Sequence, residues 1–485
     1  MKRNINMKKV FTGVVTSLIC SAVFTSCWDE ISDKYLKPTA TAPAITMTGG
    51  SIDSANVSIT WKEPAVPTYT GMRVSCGGAE VTVNKGTTPT TTFTLLNPSQ
   101  EYTIVLITLY SSGDEIESVR FKITTLASSS KTLRFIYTVA DLQTIIPTGG
   151  YYYIQMNNLD LSGISNWSPI GPNGVNFAGI FDGNGHLISN LTINNTELGN
   201  AGLFGVLWNQ SVLQNILLKD VNIHAGSVIG SLVGSLDSPA SIINCDVSGQ
   251  VSGTQCVGGL IGGCGGIVRN CSANVTVSGN SLVGGLVGYG EGTYINSRAT
   301  GKVTGTGSGS MHLGGFMGGN EGGTYSNCYA MGSVTGEKNI GGFIGTAANG
   351  NPVAISDCYA KGNVYGTSEV GGFTGYFDVN GNNAIERCYS TGLVTGTAHI
   401  GGFLGFENLG SGTLTITNCY YDRMTSGYDA AGGSGSSWAN YGTARTTNQM
   451  KTQGTFTGWD FTTTPIWSIN SSINNGYPYL TAIVP

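Results

Sequence analysis

A five-residue glycine motif recurs through this chain at an almost constant interval, and few folds can accommodate it. GSLVG starts at Gly230, GGLIG at Gly258, GGLVG at Gly284, GGFMG at Gly314, GGFIG at Gly341, GGFTG at Gly371 and GGFLG at Gly401, with AGLFG at Ala201 opening the series. The seven starts from Gly230 are 28, 26, 30, 27, 30 and 30 residues apart. A second landmark follows each by 12 to 17 residues: Asn-Cys at Asn244 and Asn270, Asn-Ser at Asn296, then Cys-Tyr pairs after Asn327, Asp357, Arg387 and Asn418. A third, Gly-x-Val-x-Gly, comes almost directly afterwards. Each repeat thus holds three apolar runs too short for an amphipathic helix, and glycine costs a helix ~1 kcal/mol per site. Short strands with glycine corners fit instead. One such coil cannot bury its inner face, whereas stacked coils share a continuous core. The expected fold is an all-β, right-handed parallel β-helix (β-solenoid), the hand being the usual one for parallel crossovers. Eight coils at ~4.8 Å each predict a rod of roughly 40 Å.

Composition agrees and narrows the partners. Of 485 residues, 73 are glycine and only 11 % are charged, too apolar for disorder and too glycine-rich for helices. The formal charge of −5 includes Lys2, Arg3, Lys8 and Lys9; without them 19 bases face 28 acids, leaving −9. No basic cluster is present, which argues against nucleic acid as a partner.

The first residues, MKRNINMKKVFTGVVTSLICSAVFTSC, have a basic start, an apolar run from Val10 to Phe24 and small residues before Cys27. The run is shorter than a membrane-spanning helix needs and reads as a secretory signal. Its end resembles a bacterial lipobox, with Phe24 departing from the usual Leu or Val. That resemblance implies cleavage before Cys27, lipidation of Cys27 and an outer-membrane location, the membrane being met only through the lipid. Asp29 and Glu30 resemble the export tag of Bacteroides-type surface lipoproteins. The signal is placed at 1–26 and a tether at 27–42.

Alternation begins near Ala44. VSITW sets Val57, Ile59 and Trp61 on one strand face, and YTIVLITLY does the same with Tyr102, Ile104 and Leu106. With Leu96, Pro98 and Tyr102 in tyrosine-corner spacing and a Trp in the second strand, residues 43–127 resemble a fibronectin type III domain, which implies a β-sandwich spacer. Asp53-Ser54-Ala55 matches a short O-glycosylation signal. ASSSK reads as a linker to the larger region.

The glycine motifs resemble the GLUG repeat of adhesin-like surface proteins and of the non-catalytic part of IgA-peptidase-like proteins, over about residues 200–422. An N-terminal cap and leading coils are placed at 131–200, with YTVADLQTI as a capping helix, the solenoid at 201–422 and a C-terminal insertion and cap at 423–485. Trp459, Trp467, Tyr477 and Leu480 are expected to close the last coil, as an open edge requires.

Strand alternation sorts the second landmark into faces. Ile216, Cys245, Cys271, Ser297, Cys328, Cys358, Cys388 and Cys419 form one inward column, and packing is the expected role of its thiols. Stacked Cβ atoms ~4.8 Å apart do not suit a disulfide, and a column does not converge on a metal. Cys256 and Cys264 lie off it and could pair locally. Between the inward positions, Tyr329, Tyr359, Tyr389 and Tyr420 are expected to point outward as an exposed row, a candidate binding face for sugar rings or a partner protein.

Signals for chemistry are sparse. HExxH, G-x-S-x-G, a phosphate loop and paired CxxC are all absent, so no peptidase activity carries over. The histidines His186, His224, His312 and His399 lie far apart in sequence, and the acids Glu291, Glu321, Glu337, Glu369, Glu386 and Glu407 scatter among coil positions. DVNGNN begins like a calcium loop, with Asp378, Asn380 and Asn382 as weak candidate ligands, but its twelfth residue is Tyr389 rather than Glu. No cofactor is implied. The expectation is a lipid-anchored adhesin or recognition protein binding a glycan or an extracellular protein; the alternatives are a β-helical polysaccharide-degrading enzyme and a purely structural surface protein.

Overall fold

The structure is a computed structural model that describes residues 42–347, 351–433, 441–462 and 464–485. The signal segment, the tether and Cys27 lie outside the described residues.

Seven antiparallel strands come first: β1 (Met47–Ile52), β2 (Val57–Trp61), β3 (Tyr69–Cys76), β4 (Ala79–Asn84), β5 (Thr90–Phe93), β6 (Glu101–Tyr110) and β7 (Glu115–Thr124). Their pairing, β5-β2-β1 in one sheet and β4-β3-β6-β7 in another, is that of a fibronectin type III β-sandwich. Val57, Ile59 and Trp61 are buried, as alternation required. The tyrosine corner is formed, with the Asn97 N–H donating to the Tyr102 hydroxyl at 2.8 Å. Asp53 is engaged locally, its carboxylate accepting from the backbone of Ala55 and Asn56 at 2.7 Å each.

The expected linker is instead a turn. β8 (Lys131–Ile136) pairs antiparallel with β1 through Ser51↔Thr132 and Ile52↔Lys131, and parallel with β9 (Tyr151–Gln155). The β5-β2-β1 sheet therefore continues without a break into a solenoid wall, because β8 offers one edge to each. Between β8 and β9 the predicted helix forms as α1 (Val139–Gln143), opened by a reciprocal capping box between Thr138 and Asp141 and buried through Leu142.

Beyond α1 the chain winds as a parallel β-solenoid. Among the described residues, an eight-stranded wall, the fourteen-stranded sheet, a sixteen-stranded one and a seven-stranded one are visited in that order. One coil runs through Ile344–Ala347, Val353–Ser356, Tyr359–Ala360 with Val364–Tyr365, and Ser368–Gly371. The next coil repeats it in register at Ile344↔Thr374, Ala354↔Ala384, Tyr359↔Tyr389 and Ser368↔Ala398. Inside, ladders of like residues fill the bore, as in Phe316, Phe343, Phe373 and Phe403, whose rings stack 4.8–4.9 Å apart.

The corner before the cysteine column explains the recurring asparagine. Asn215, Asn244, Asn270, Asn296, Asn327, Asp357, Arg387 and Asn418 all have φ between +50° and +55°. Asn and Asp tolerate that left-handed conformation better than other residues with a Cβ. Their side chains also join the coils: each of Asn244, Asn270, Asn296 and Asn327 donates to the preceding member at 2.9–3.2 Å. Arg387, ill-suited to this conformation, is held by a two-bond ion pair to Asp357 at 2.8 Å.

The cysteine column faces the bore as expected, with Cys245, Cys271, Cys328, Cys358, Cys388 and Cys419 all buried in the main core. All nine cysteines of the described residues are free, including Cys256 and Cys264. A thiol reagent should therefore count these nine in unreduced, denatured protein, and react far more slowly before denaturation. A shortfall of two or more would indicate a disulfide.

Candidate functional site

The tyrosine row is the first place to look, and the structure corrects its expected exposure. Tyr329, Tyr359, Tyr389 and Tyr420 do point away from the bore, but they are 1 %, 0 %, 0 % and 4 % exposed. The first three rings are stacked, Tyr329 on Tyr359 at 4.7 Å and Tyr359 on Tyr389 at 5.0 Å, and Tyr420 meets Phe456 edge-on at 5.2 Å. Over their edges lies the C-terminal segment, with Met450, Phe456, Trp459, Trp467, Tyr477 and Leu480 completing a second, separate core.

The C-terminal segment accordingly does two jobs where one was expected. Residues 423–433 and 441–445 close the last coil: Gly432 bridges to Leu404 and Thr443–Arg445 pairs with Tyr420–Asp422. Residues 446–462 and 464–485 then run back along the flank as a strap. Trp459 Nε1 donates to the Asn418 carbonyl at 2.9 Å, Trp467 Nε1 to Asp357 Oδ1 at 2.9 Å and the Tyr477 hydroxyl to Asp422 Oδ2 at 2.7 Å. The Tyr389 hydroxyl donates to the Pro478 carbonyl at 2.6 Å and accepts from Asn474 Nδ2 at 2.9 Å. In the uncovered coils the tyrosine position is Leu217, Asp246 or Ser272, half-buried, so aromatic residues stand only where the strap lies. That coincidence was the available signal: a row limited to the last four coils and an unrepeated aromatic tail of similar reach are two halves of one interface.

The calcium candidates also fall into coil-to-coil bonding. Asp378 ends the strand Thr374–Asp378 and accepts from Asn408 Nδ2 at 3.0 Å, while Asn382 opens the strand Asn382–Glu386 and accepts from Thr413 Oγ1 at 3.1 Å. Asn380 sits in the turn between them, bonded through its N–H to the Asp378 carbonyl at 2.9 Å. A chelator is expected to leave thermal stability unchanged; a fall in Tm would reinstate these oxygens as ligands.

What does reach solvent is an interrupted strip along the seven-stranded wall beside the eight-stranded one, open to water in six coils and buried at Asn339 in the other. Val228, Cys256, Leu282, His312, Asn339, Glu369 and His399 occupy one structural position in seven consecutive coils, each with φ between +50° and +61°. This backbone is closely packed. A Cβ on Gly318 would lie 2.5 Å from the Leu282 carbonyl carbon, and one on Gly375 2.6 Å from that of Asn339, so the glycine motif presses on this backbone from a neighbouring coil. Beside it runs the outward column of the eight-stranded wall, in register at Tyr289↔Gly319, Gly319↔Thr346, Thr346↔Tyr376 and Tyr376↔Phe406.

Chemistry gathers at two places on this strip. Tyr376 and Phe406 stack at 5.7 Å, His399 meets Phe406 edge-on at 4.9 Å, and Glu369, Asp378 and Asn408 surround them. Partial burial, with Asp378 and Glu369 nearby, raises the Tyr376 hydroxyl above its usual range, while its bond to Asn408 opposes this. Further along, burial and the Glu321 carboxylate push the Tyr289 hydroxyl well up. Glu291 and Glu321 directly follow the paired residues Gly290 and Asn320, so these two acids share one coil position rather than scattering. The strip thus offers ring edges, an imidazole, carboxylates and carboxamides on a fixed backbone, a composition suited to holding a hydroxylated or polar surface. Sequence reasoning missed it because its residue types change from coil to coil and only the backbone repeats.

No protein-family model matches the chain. The sequence is 32 % identical over 137 residues to halomucin of Haloquadratum walsbyi and 33 % identical over 94 residues to a putative Gly-rich membrane protein of Evansella cellulosilytica. These stretches are 26 % and 18 % of this chain but only 2 % and 11 % of those proteins. Among solved structures, a putative immunoglobulin A1 protease from Bacteroides ovatus is similar over 72 % of this chain and 92 % of its own, at 17 % identity and a TM-score of 0.41. A human fibronectin type III domain is similar over 23 % of this chain and 88 % of its own, at 19 % identity and a TM-score of 0.16.

Proposed function

We propose that this chain is a surface-displayed recognition protein, an adhesin, lipid-anchored through Cys27 and engaging a glycan or an extracellular protein through the strip along the seven-stranded wall. The observation that carries this reading is the strip itself: one backbone position, held in the same left-handed conformation in seven coils, bears six kinds of side chain, with only histidine used twice. A constant frame with changing side chains is how a repeat scaffold builds an extended binding surface. The fibronectin-like strands suit a spacer, the repeat resembles the GLUG motifs of surface proteins, and halomucin and the Gly-rich membrane protein share part of its sequence.

Binding of the full chain to a glycan array and to extracellular matrix proteins tests this. Tyr376→Ala with Phe406→Ala is expected to weaken binding at least tenfold with a modest change in Tm, because both rings are partly exposed and lie outside the bore. Undiminished binding by the double variant, or release of reducing ends from a bound polysaccharide, would overturn the reading.

A further inference from the structure

Lys361 is a partly buried amine facing a carboxamide. It occupies the position after Cys358-Tyr359-Ala360, where the neighbouring coils carry Met331 and Thr391. Its Nζ donates to Asn474 Oδ1 at 2.6 Å and to the Asn474 carbonyl at 2.9 Å. With a C=O bond of ~1.23 Å, the first distance sets Nζ roughly 3–4 Å from Asn474 Cγ, overlapping the near-attack range. Asn474 is held there. It is 9 % exposed, Asn474, Asn475 and Gly476 are all left-handed at φ +52°, +56° and +82°, and its Nδ2 is bonded to both the Tyr389 hydroxyl and the Pro478 carbonyl. The Tyr477 ring lies against Lys361 at 5.2 Å and against Lys451 at 5.0 Å. Burial, with Lys451 adding to it, lowers the Lys361 ammonium to about 8, so a usable fraction is the neutral nucleophile near neutral pH.

We propose that Lys361 and Asn474 form an intramolecular isopeptide bond that fastens the strap to the solenoid. Neutral Nζ attacks Cγ, the Cγ–Nδ2 bond breaks, and the nitrogen leaves as ammonia. Counting the proton shed by the original ammonium, Lys-NH3+ and Asn-CONH2 give one secondary amide and NH4+. No oxidant, metal or cofactor takes part. The Tyr389 hydroxyl, bonded to Nδ2, orients the departing nitrogen.

Intact-mass measurement on the mature full chain decides the matter. With the lipid on Cys27 counted in the reference mass, the protein should be lighter by one ammonia, and a protease digest should contain a branched peptide joining the Lys361 and Asn474 fragments. Lys361→Met and Asn474→Ala should each restore the full mass, and in a digest of the native protein cut between solenoid and strap the two pieces should stay together in denaturant only for the wild type. Wild-type protein at its full reference mass, without the branched peptide, overturns the proposal whether or not either variant folds.

Discussion

Replacing Tyr389 with Ser is expected to release the strap. The ring is fully buried, stacked on Tyr359 at 5.0 Å, and touches Trp459 and Trp467 at centroid distances of 6.1 and 6.0 Å. Its hydroxyl also joins Pro478 and Asn474. Truncating a buried aromatic costs about 3–5 kcal/mol, and leaving partners unbonded adds to that. The loss should appear as red-shifted tryptophan fluorescence, since Trp459 and Trp467 gain water, and as rapid proteolysis within 446–485. Tyr359→Phe is the contrasting case. Its hydroxyl is buried without a hydrogen-bond partner, so removing the oxygen should be neutral or slightly stabilising. Should Tyr389→Ser leave fluorescence and protease resistance unchanged, the row is not a structural interface. An isopeptide bond between Lys361 and Asn474 would keep the strap attached in that variant without restoring its packing, so fluorescence is the primary readout.

Gly342→Ala should be more damaging still, although it adds one methyl group. The new Cβ would stand 2.1 Å from the Gly372 carbonyl oxygen and 3.1 Å from the Ala360 Cβ, both in the packed interior between coils. Neither neighbour is the end of a flexible side chain, and the Gly372 backbone is fixed in turn by the next coil, whose Gly402 oxygen lies 2.2 Å from the Cβ that Gly372 would bear. Ordinary overpacking costs about 1–3 kcal/mol; a backbone contact that cannot relax belongs in the tail above about 4 kcal/mol. Thermal unfolding followed by circular dichroism should show a large fall in Tm or failure to fold. Gly263→Ala is the control: its Cβ would meet only Val228 Cγ1 at 3.4 Å and Ser235 Oγ at 3.8 Å, so a change within about 0.5 kcal/mol is expected. Equal melting of the two variants would mean that close coil approach is not what demands glycine in the motif.

These two cases show where local pattern sufficed. Period and glycine placement determine that the chain coils, because the motif glycines sit where neighbouring backbone, or at Gly402 the Tyr421 ring, leaves no room for a Cβ. Two-residue alternation determines which way Cys358, Tyr359 and Ala360 point, since neighbouring side chains on a strand must oppose one another. Trp61 and the Tyr102 corner likewise follow from local spacing.

Orientation relative to a strand is not exposure, and here tertiary structure alone decided. Whether Tyr359 meets water depends on residues more than a hundred positions later that share no repeat with it and reach it only because the chain doubles back. The turn in place of a linker at ASSSK has the same origin, an edge of β1 that β8 happens to reach. The strip was hidden for the opposite reason: its side chains change from one coil to the next, and what they share is a left-handed backbone packed against glycines of a neighbouring coil. Sequence periodicity encodes contacts between equivalent positions. Contacts between non-equivalent ones, which bury the tyrosines and bring Lys361 against Asn474, exist only once the chain is folded.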